Sequence, residues 1–155
     1  MIRPVTPADS PALLAICGSM GLFPPEELSV IQKLFDDYHA STAASGHMAF
    51  ACDVGGTPVG VAYVTPKEMT DRTWELLMIM VDATRQGEGV GSRMVSAVED
   101  AVRATNGRML IVETSSTPEF ERTRQFYLKN GYAEVANVPD YYADGVGKTS
   151  FTKLL

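Results

Sequence analysis

A glycine-rich stretch, Gln86-Gly87-Glu88-Gly89-Val90-Gly91-Ser92, follows an apolar run and opens a segment of helical periodicity. Alternate glycines lack the Cβ atoms that would keep a ligand away from the main chain. The amides of a first helical turn have no intrahelical partner, and the helix dipole makes that end positive. Such a turn can bind a diphosphate. A tight turn between a strand and a helix would also explain the glycines.

Other motifs that use glycine turns fit poorly. A Walker loop ends in Gly-Lys-Ser/Thr, whereas Gly91 is followed by Ser92-Arg93. A dinucleotide fingerprint needs glycine or alanine three residues after its second glycine, and Ser92 or Met94 stands there. The segment Gly18-Ser19-Met20-Gly21 is no nucleophile elbow, because Cys17 replaces the first glycine, so a hydrolase is not expected.

Periodicity and turn residues predict the elements that position this turn. Helices are expected after Thr6 or Ser10, after Pro24-Pro25, from Val90 to Asn106, and from Thr117 to Asn130. Strands are expected at residues 2–5, 49–53, 58–64, 74–81, 109–114, 132–138 and 149–154. The apolar run 74–81 predicts a central strand buried on both faces. The order indicates an α/β (α+β) fold with a mostly antiparallel sheet and a parallel pair in its middle.

Composition limits the class of protein. The 155 residues match one domain, which we place at 1–155. The net charge of −6 and the lack of a Lys/Arg cluster argue against a nucleic-acid partner. An acidic chain favours a cationic partner, although solubility alone explains the charge as well.

Membrane and metal roles are not expected. The N-terminus has no apolar leader and the longest apolar run, 76–81, is too short to span a bilayer, so we predict a cytoplasmic protein with no membrane partner. His39 and His47 lack the close spacing of metal ligands, so no metal is expected. Cys17 and Cys52 form no CxxC pair and are expected to be reduced and mostly buried.

Two motifs in order resemble those of one family. Gln86–Gly91 resembles the signature of the GCN5-related N-acetyltransferases (GNAT), which is Gln or Arg, two residues, Gly, one residue, and Gly or Ala. Phe126-Tyr127 and the Gly131-Tyr132 that follows are similar to a second family pattern, and Ile2–Asp9 resembles a common beginning. The resemblance implies about six to seven strands with a central splayed parallel pair, flanked by about four helices. Residues 20–48 resemble the family least.

The resemblance implies acetyl-CoA as cosubstrate. Met80 and Val81 would pair their backbone with the pantetheine arm, which would act as an extra strand. Thr123 and Phe126 would contact the cofactor, although Phe120 and Thr123 stand where many members have Asn and Ala. The diphosphate would lie on the amides of the glycine turn, which are those of Gln86, Gly87, Glu88, Gly89, Val90, Gly91 and Ser92.

The resemblance also assigns the reacting groups. Tyr127 corresponds to the usual general acid, and a backbone N–H near Met80 to the oxyanion donor. Glu75 matches a position that some members use for a base acting through water, and Glu113 is a second candidate. Each of these side chains has an ordinary structural role as its alternative. The segment 138–145 is expected to be a connecting loop, with a role beside the acceptor as the alternative.

The function expected from the resemblance is transfer of an acetyl group to a primary amine of a small molecule, amino acid or peptide, by direct attack in a ternary complex. The alternative is a non-catalytic acyl-CoA-binding or regulatory module on the same fold. Family members often form dimers, so a homodimer is a candidate state.

Overall fold

The structure is a computed structural model that describes residues 1–155. It contains seven strands and four α-helices. The strands are β1 (Ile2–Pro4), β2 (Met48–Val54), β3 (Thr57–Pro66), β4 (Thr73–Val81), β5 (Met109–Ser115), β6 (Ala133–Ala143) and β7 (Val146–Leu154). The helices are α1 (Ser10–Ser19), α2 (Pro25–Asp37), α3 (Val90–Ala104) and α4 (Glu121–Lys129).

One mixed sheet has the order β1-β2-β3-β4-β5-β7-β6. The β4–β5 pair is parallel, and the pairs β1–β2, β2–β3, β5–β7 and β6–β7 are antiparallel. The predicted fold class is therefore confirmed. None of the helices combines the length and the apolar character that a membrane-spanning segment requires.

The chain divides into two compact units. The first comprises residues 1–65 and 78–100, and the second comprises residues 66–77 and 101–155. The boundaries fall at the end of β3 and inside β4 and α3. That the chain is a single domain stays a prediction.

The β2–β3 hairpin is central to the first unit. Gly55 and Gly56 have φ values of 60° and 82°, which a tight hairpin turn requires. The residues 59–64 of β3 are all buried. Val61 and Tyr63 belong to a core with helix residues, among them Leu13, Ile16, Ile31 and Phe35. The alternate residue Gly60 lies next to α3, because a Cβ there would be 2.6 Å from Met94 Sδ.

The start of the chain is tied down by an ion-pair network. Arg3 donates from Nη1 and Nη2 to the two carboxylate oxygens of Asp9, each at 2.8 Å, and from Nε to Asp53 Oδ2 at 2.7 Å. Asp9 Oδ2 also accepts from the Thr6 amide at 2.7 Å. Hydrogen bonding from Arg3 holds the pKa of Asp9 well below its usual range. The network fastens β1 to β2 and to the turn before α1.

The second unit is formed around β5 and β7. These strands pair along seven residues, from Met109–Leu154 to Ser115–Lys148. β5 pairs with β4 only at Thr73–Met109, Trp74–Leu110 and Glu75–Ile111, although β4 and β5 are nine and seven residues long. The parallel ladder therefore ends early.

The prediction that β4 is buried on both faces is wrong. Trp74, Leu76 and Met78 are buried, whereas Leu77 is 49% exposed and Glu75 lies beside it on the same face. The strand buried on both faces is β3, which has Gly60 where a larger residue would meet α3. An apolar run in the sequence does not show whether one or both faces of a strand are buried, because an apolar residue such as Leu77 can also lie on an exposed face.

The prediction of a loop at 138–145 is also wrong. β6 continues to Ala143 and β7 begins at Val146, so only Asp144-Gly145 turns between them. The register shifts between Val138 and Ala143, and Asp140 has a φ of 54°. Asp140 Oδ1 accepts from the Gly145 amide at 2.7 Å. Proline, aspartate and glycine mark an irregularity within this hairpin rather than the end of its strands.

Candidate functional site

The glycine turn begins with a capped bend at the end of β4. Asp82 Oδ1 accepts from the Thr84 amide at 2.8 Å and from the Thr84 hydroxyl at 2.6 Å. The Asp82 amide donates to Val59 O at 2.8 Å. These bonds fix the chain where it leaves the sheet, so the turn that follows starts from a defined position.

Gly87 and Gly89 have φ values of 87° and 76°, in the left-handed region that favours glycine. A Cβ on Gly87 would meet nothing within 4 Å. Glycine is therefore needed here for the backbone conformation, and its open side leaves the main chain accessible.

The amides of this turn are left without acceptors. Arg93 is the first residue of the segment whose amide pairs, with Gly89 O at 3.1 Å. The amides of residues 87–92 donate to no protein group. They lie at the N-terminal end of a 15-residue helix, whose dipole adds positive potential. Unpaired donors in an open turn at a helix N-terminus can bind an anion such as a phosphate group.

The charged side chains of the turn are paired. Arg85 Nη2 lies 3.2 Å from Glu88 Oε2, which offsets the only carboxylate in the turn. Arg93 Nη1 donates to Glu88 O at 3.1 Å and so helps to shape the turn from the helix side. A bound anion would therefore not face an unpaired Glu88.

The side chain of Gln86 supports the turn. Its Nε2 atom donates to Val81 O at 3.2 Å and lies 3.1 Å from Met20 Sδ. Sequence reasoning missed Met20, because a contact across 66 positions leaves no local signal. Met80, the other strand residue assigned to the cofactor, is half-buried beside the apolar core.

Tyr127 is set in an aromatic cluster of the second unit. Its ring centroid lies 5.3 Å from that of Phe126 and 5.7 Å from those of Tyr132 and Phe151. The residue is 4% exposed, and burial raises the pKa of its phenol. Burial is the sole cause of this pKa shift, and no hydrogen bond to the phenol contributes to it. Tyr127 is thus a fixed, protonated phenol. Thr123, on the same helix, is half-buried.

The two candidate bases lie on one face of the second unit. Glu75 pairs with Ile111, and Glu113 lies two residues further along β5, so both side chains point the same way. Phe151 pairs with Val112 and points to the opposite face, where it packs on Tyr127. The candidate acid and the candidate bases therefore lie on opposite faces.

Each candidate base has a lysine partner. Lys67 Nζ donates to Glu75 Oε2 at 2.7 Å, and this bond raises the pKa of Lys67. Lys148 Nζ lies 3.2 Å from Glu113 Oε2 and 3.8 Å from the centre of the Tyr141 ring. Sequence reasoning did not predict the lysines or the contact with Tyr141. For Lys148 the missing information was the register between β5 and β7.

Comparison with known proteins identifies the family. An acetyltransferase (GNAT) domain model matches residues 45–134. A protein from Desulfovibrio desulfuricans, described as an acetyltransferase of the GNAT family, is 31% identical over 99% of this chain and 98% of its own, with a TM-score of 0.94. The chain belongs to the GNAT acetyltransferase family.

More distant GNAT structures share the fold alone. A ribosomal-protein-alanine N-acetyltransferase from Brucella melitensis is 19% identical, with a TM-score of 0.79, over 100% of this chain and 99% of its own. An acetyltransferase from Salmonella typhimurium, solved with its cofactor acetyl-CoA, is 17% identical, with a TM-score of 0.79, over 100% and 93%. No protein of curated function matches the sequence.

The GNAT family and fold predicted from the sequence are confirmed, and the two cysteines are buried and free as expected. The roles assigned to individual residues stay predictions. The structure brings Gln86–Ser92 together in one turn and places Thr123, Phe126 and Tyr127 on one helix. It places Glu75 and Glu113 in ion pairs.

Proposed function

We propose that this GNAT protein transfers the acetyl group of acetyl-CoA to a primary amine of a small molecule, amino acid or peptide, by direct attack in a ternary complex. The observation that carries the proposal is the turn at residues 87–92, with its unpaired amides and its glycines of positive φ. These donors would hold the diphosphate of coenzyme A. The Salmonella typhimurium relative of this fold holds acetyl-CoA, which supports the choice of cosubstrate.

Tyr127 would donate the proton that the departing thiolate needs. A thiolate is a better leaving group when it is protonated as the bond breaks. Burial raises the pKa of Tyr127, so its proton is present throughout the neutral range. The aromatic neighbours fix the ring, and the free hydroxyl leaves the donor available.

The acceptor amine must lose a proton before or during attack. Glu75 or Glu113 would accept it, directly or through water, from the face opposite Tyr127. Both carboxylates form ion pairs with lysines. An acceptor whose amine has a pKa near 8 needs less help than a lysine side chain with a pKa above 10. The identity of the base therefore depends on the acceptor.

A panel assay tests the proposal. The protein is incubated with acetyl-CoA and a set of amines, while free thiol and acetylated products are measured. We expect thiol release that depends on the amine, with equal amounts of acetylated product. The variant Tyr127→Phe is the matched control, since it keeps the ring and removes the proton donor. Tight binding of acetyl-CoA without turnover of any amine would instead support a non-catalytic acyl-CoA-binding module.

Further expectations belong with this proposal. We expect a cytoplasmic protein that needs no metal and binds neither nucleic acid nor membrane. We expect the chain to fold as a single domain, and a homodimer is a candidate state. Size-exclusion chromatography with light scattering tests the last of these.

A further inference from the structure

The helix that carries Tyr127 is short, and its start has no side-chain cap. α4 has nine residues, and no side chain caps its N-terminal end at Phe120. A helix of fewer than about 12 residues is marginal on its own in water, so contacts with the rest of the protein must hold α4 in place. The position of the Tyr127 phenol therefore depends on what fastens this helix to the sheet.

Arg124 fastens the start of α4 to the end of β5. Its Nη1 atom donates to Ser115 O and to Thr117 O, each at 2.8 Å. Its Nη2 atom donates to Glu121 Oε2 at 2.6 Å. One guanidinium thus joins the last residue of β5, the turn that follows it and the first residue of α4.

The guanidinium of Arg124 is itself held in one orientation. Its side chain is 15% exposed. Glu121 Oε1 accepts from Gln125 Nε2 at 2.9 Å, so a second donor orients the carboxylate that Arg124 contacts. Hydrogen bonds from Gln125 and Arg124 lower the pKa of Glu121, so this carboxylate is charged at neutral pH. Hydrogen bonds between charged groups are stronger than those between neutral groups, which strengthens the link between Glu121 and Arg124.

The turn that Arg124 contacts is fixed to the sheet. Ser115 is the last residue of β5 that pairs with β7. The Ser116 amide donates to Gly147 O at 2.9 Å, and the Thr117 amide donates to Ser115 Oγ at 3.2 Å. A side chain bonded to this turn therefore ties α4 to a rigid part of the second unit.

We infer that Arg124 is a positioning residue for acetyl transfer: by holding α4 on the end of β5, it places the Tyr127 phenol where the departing thiolate needs its proton. The inference rests on the proposed function. Arg124 and Tyr127 are three residues apart on α4, so they are neighbours on the surface of the helix. A shift of the helix at Arg124 is therefore passed on to Tyr127 over a single turn.

A small displacement of α4 is enough to affect catalysis. A general acid must come within about 2.6–3.2 Å of the atom that it protonates. A misplacement of about 1 Å can lower the rate by about 100-fold. The rings of Tyr132 and Phe151 pack around Tyr127, but apolar packing is non-directional. The hydrogen bonds of Arg124 have preferred lengths and angles, so they define where the helix lies along the sheet.

A double-mutant cycle with Tyr127 tests the inference. Arg124→Met keeps an unbranched side chain and removes every hydrogen bond of the guanidinium. With an amine from the panel assay, we expect kcat to fall by about tenfold or more, because the acid is misplaced. The Kd for acetyl-CoA, measured by calorimetry, should change much less. In Tyr127→Phe the same substitution should leave kcat nearly unchanged, because the group that Arg124 positions is already missing.

Two further variants complete the experiment. Glu121→Gln removes the charge that orients the guanidinium, and it should lower kcat less than Arg124→Met does, again only while the Tyr127 phenol is present. Because Glu121 is exposed, this variant also tests the inference if Arg124→Met does not fold. Arg122→Met, at an exposed arginine of the same helix, is the matched control and should leave kcat unchanged. Thermal denaturation shows that each variant is folded at the assay temperature.

The possible failures can be told apart. An unchanged kcat in folded Arg124→Met overturns the inference while acetyl transfer stands. A fall in kcat of the same size with and without the Tyr127 phenol shows that Arg124 acts independently of Tyr127, which overturns it as well. An equal fall in Arg122→Met overturns the assignment to Arg124. Turnover of no amine by the unmodified protein overturns the proposed function, and the inference with it.

Discussion

Replacing Gly89 by alanine tests the glycine turn directly. Gly89 has a φ of 76°, and a Cβ there would lie 3.6 Å from Arg93 Nη1, an ordinary contact distance. The penalty therefore comes from the backbone, at about 1–2 kcal/mol for an L-residue in the left-handed region. In the free protein the open turn can relax, but a bound diphosphate needs the amides in place. Since 1.4 kcal/mol is a factor of ten, the Kd for CoA should rise about 5- to 30-fold.

Calorimetric titration with CoA measures this change, and thermal denaturation shows whether the fold is kept. Gly87→Ala, at a φ of 87°, should behave in the same way. Gly55→Ala is the matched control, because Gly55 has a φ of 60° and open space around it, but lies in the β2–β3 turn. It should lower stability without changing the Kd. The reasoning is refuted if Gly89→Ala and Gly87→Ala bind CoA normally, or if Gly55→Ala weakens binding as much as they do.

Other predictions follow from the same structure. Tyr127→Phe should lower kcat by about 100-fold or more, the usual range for a lost general acid, with a much smaller change in acetyl-CoA affinity. Steady-state kinetics and calorimetric titration with acetyl-CoA measure the two effects, and an unchanged kcat excludes Tyr127 as the acid. Because burial raises the pKa of Tyr127, its protonated form persists as the pH rises, so kcat should not fall through loss of this proton between about pH 8 and 10, near the ordinary tyrosine pKa. A fall in kcat over this range that Tyr127→Phe abolishes would contradict this. Arg3 lowers the pKa of Asp9, so the contribution of Asp9 to protein stability is present above its unfolded pKa of 3.8 and is lost as the pH falls towards the lower folded pKa. Urea unfolding across acid pH should show that loss, and Asp9→Asn should be less stable at pH 7, with a stability that depends less on pH in the acid range. Gly147→Ala should destabilise the protein by about 1–3 kcal/mol, as overpacking does, since its Cβ would press on Ser116 Oγ and Val138 O. An unchanged urea midpoint would contradict this and show that Ser116 and Val138 move aside.

Much of the fold was predictable because its signals are local. The Gly55-Gly56 turn fixes a hairpin, and the apolar spacing of Val90, Met94 and Val98 fixes α3. Errors arose where a distant element decides the outcome. Leu77 is exposed although its neighbours Leu76 and Met78 are buried, and only the three-dimensional arrangement shows that.

The candidate site was likewise predictable where its residues are close in sequence and not where they are distant. The glycine turn and the Phe126-Tyr127 pair are contiguous in the chain, so their motifs were visible. The pairing of Glu113 with Lys148 depends on strand register, and the support of Gln86 by Met20 depends on how α1 ends. Neither contact leaves a pattern in a single sequence, because the partners are many residues apart.

The early end of the β4–β5 ladder has a consequence for motion. No pair follows Glu75–Ile111, so Leu76, Leu77, Val112 and Glu113 lack the mutual cross-strand bonds that slow amide exchange in a continuous sheet. Within this stretch, the amides that point towards the gap between β4 and β5, rather than towards β3 or β7, should take up deuterium faster than the paired residues before them. If an extended ligand completes the ladder, protection there should appear and disappear with each catalytic cycle, which makes this part of the sheet a direct reporter of occupancy.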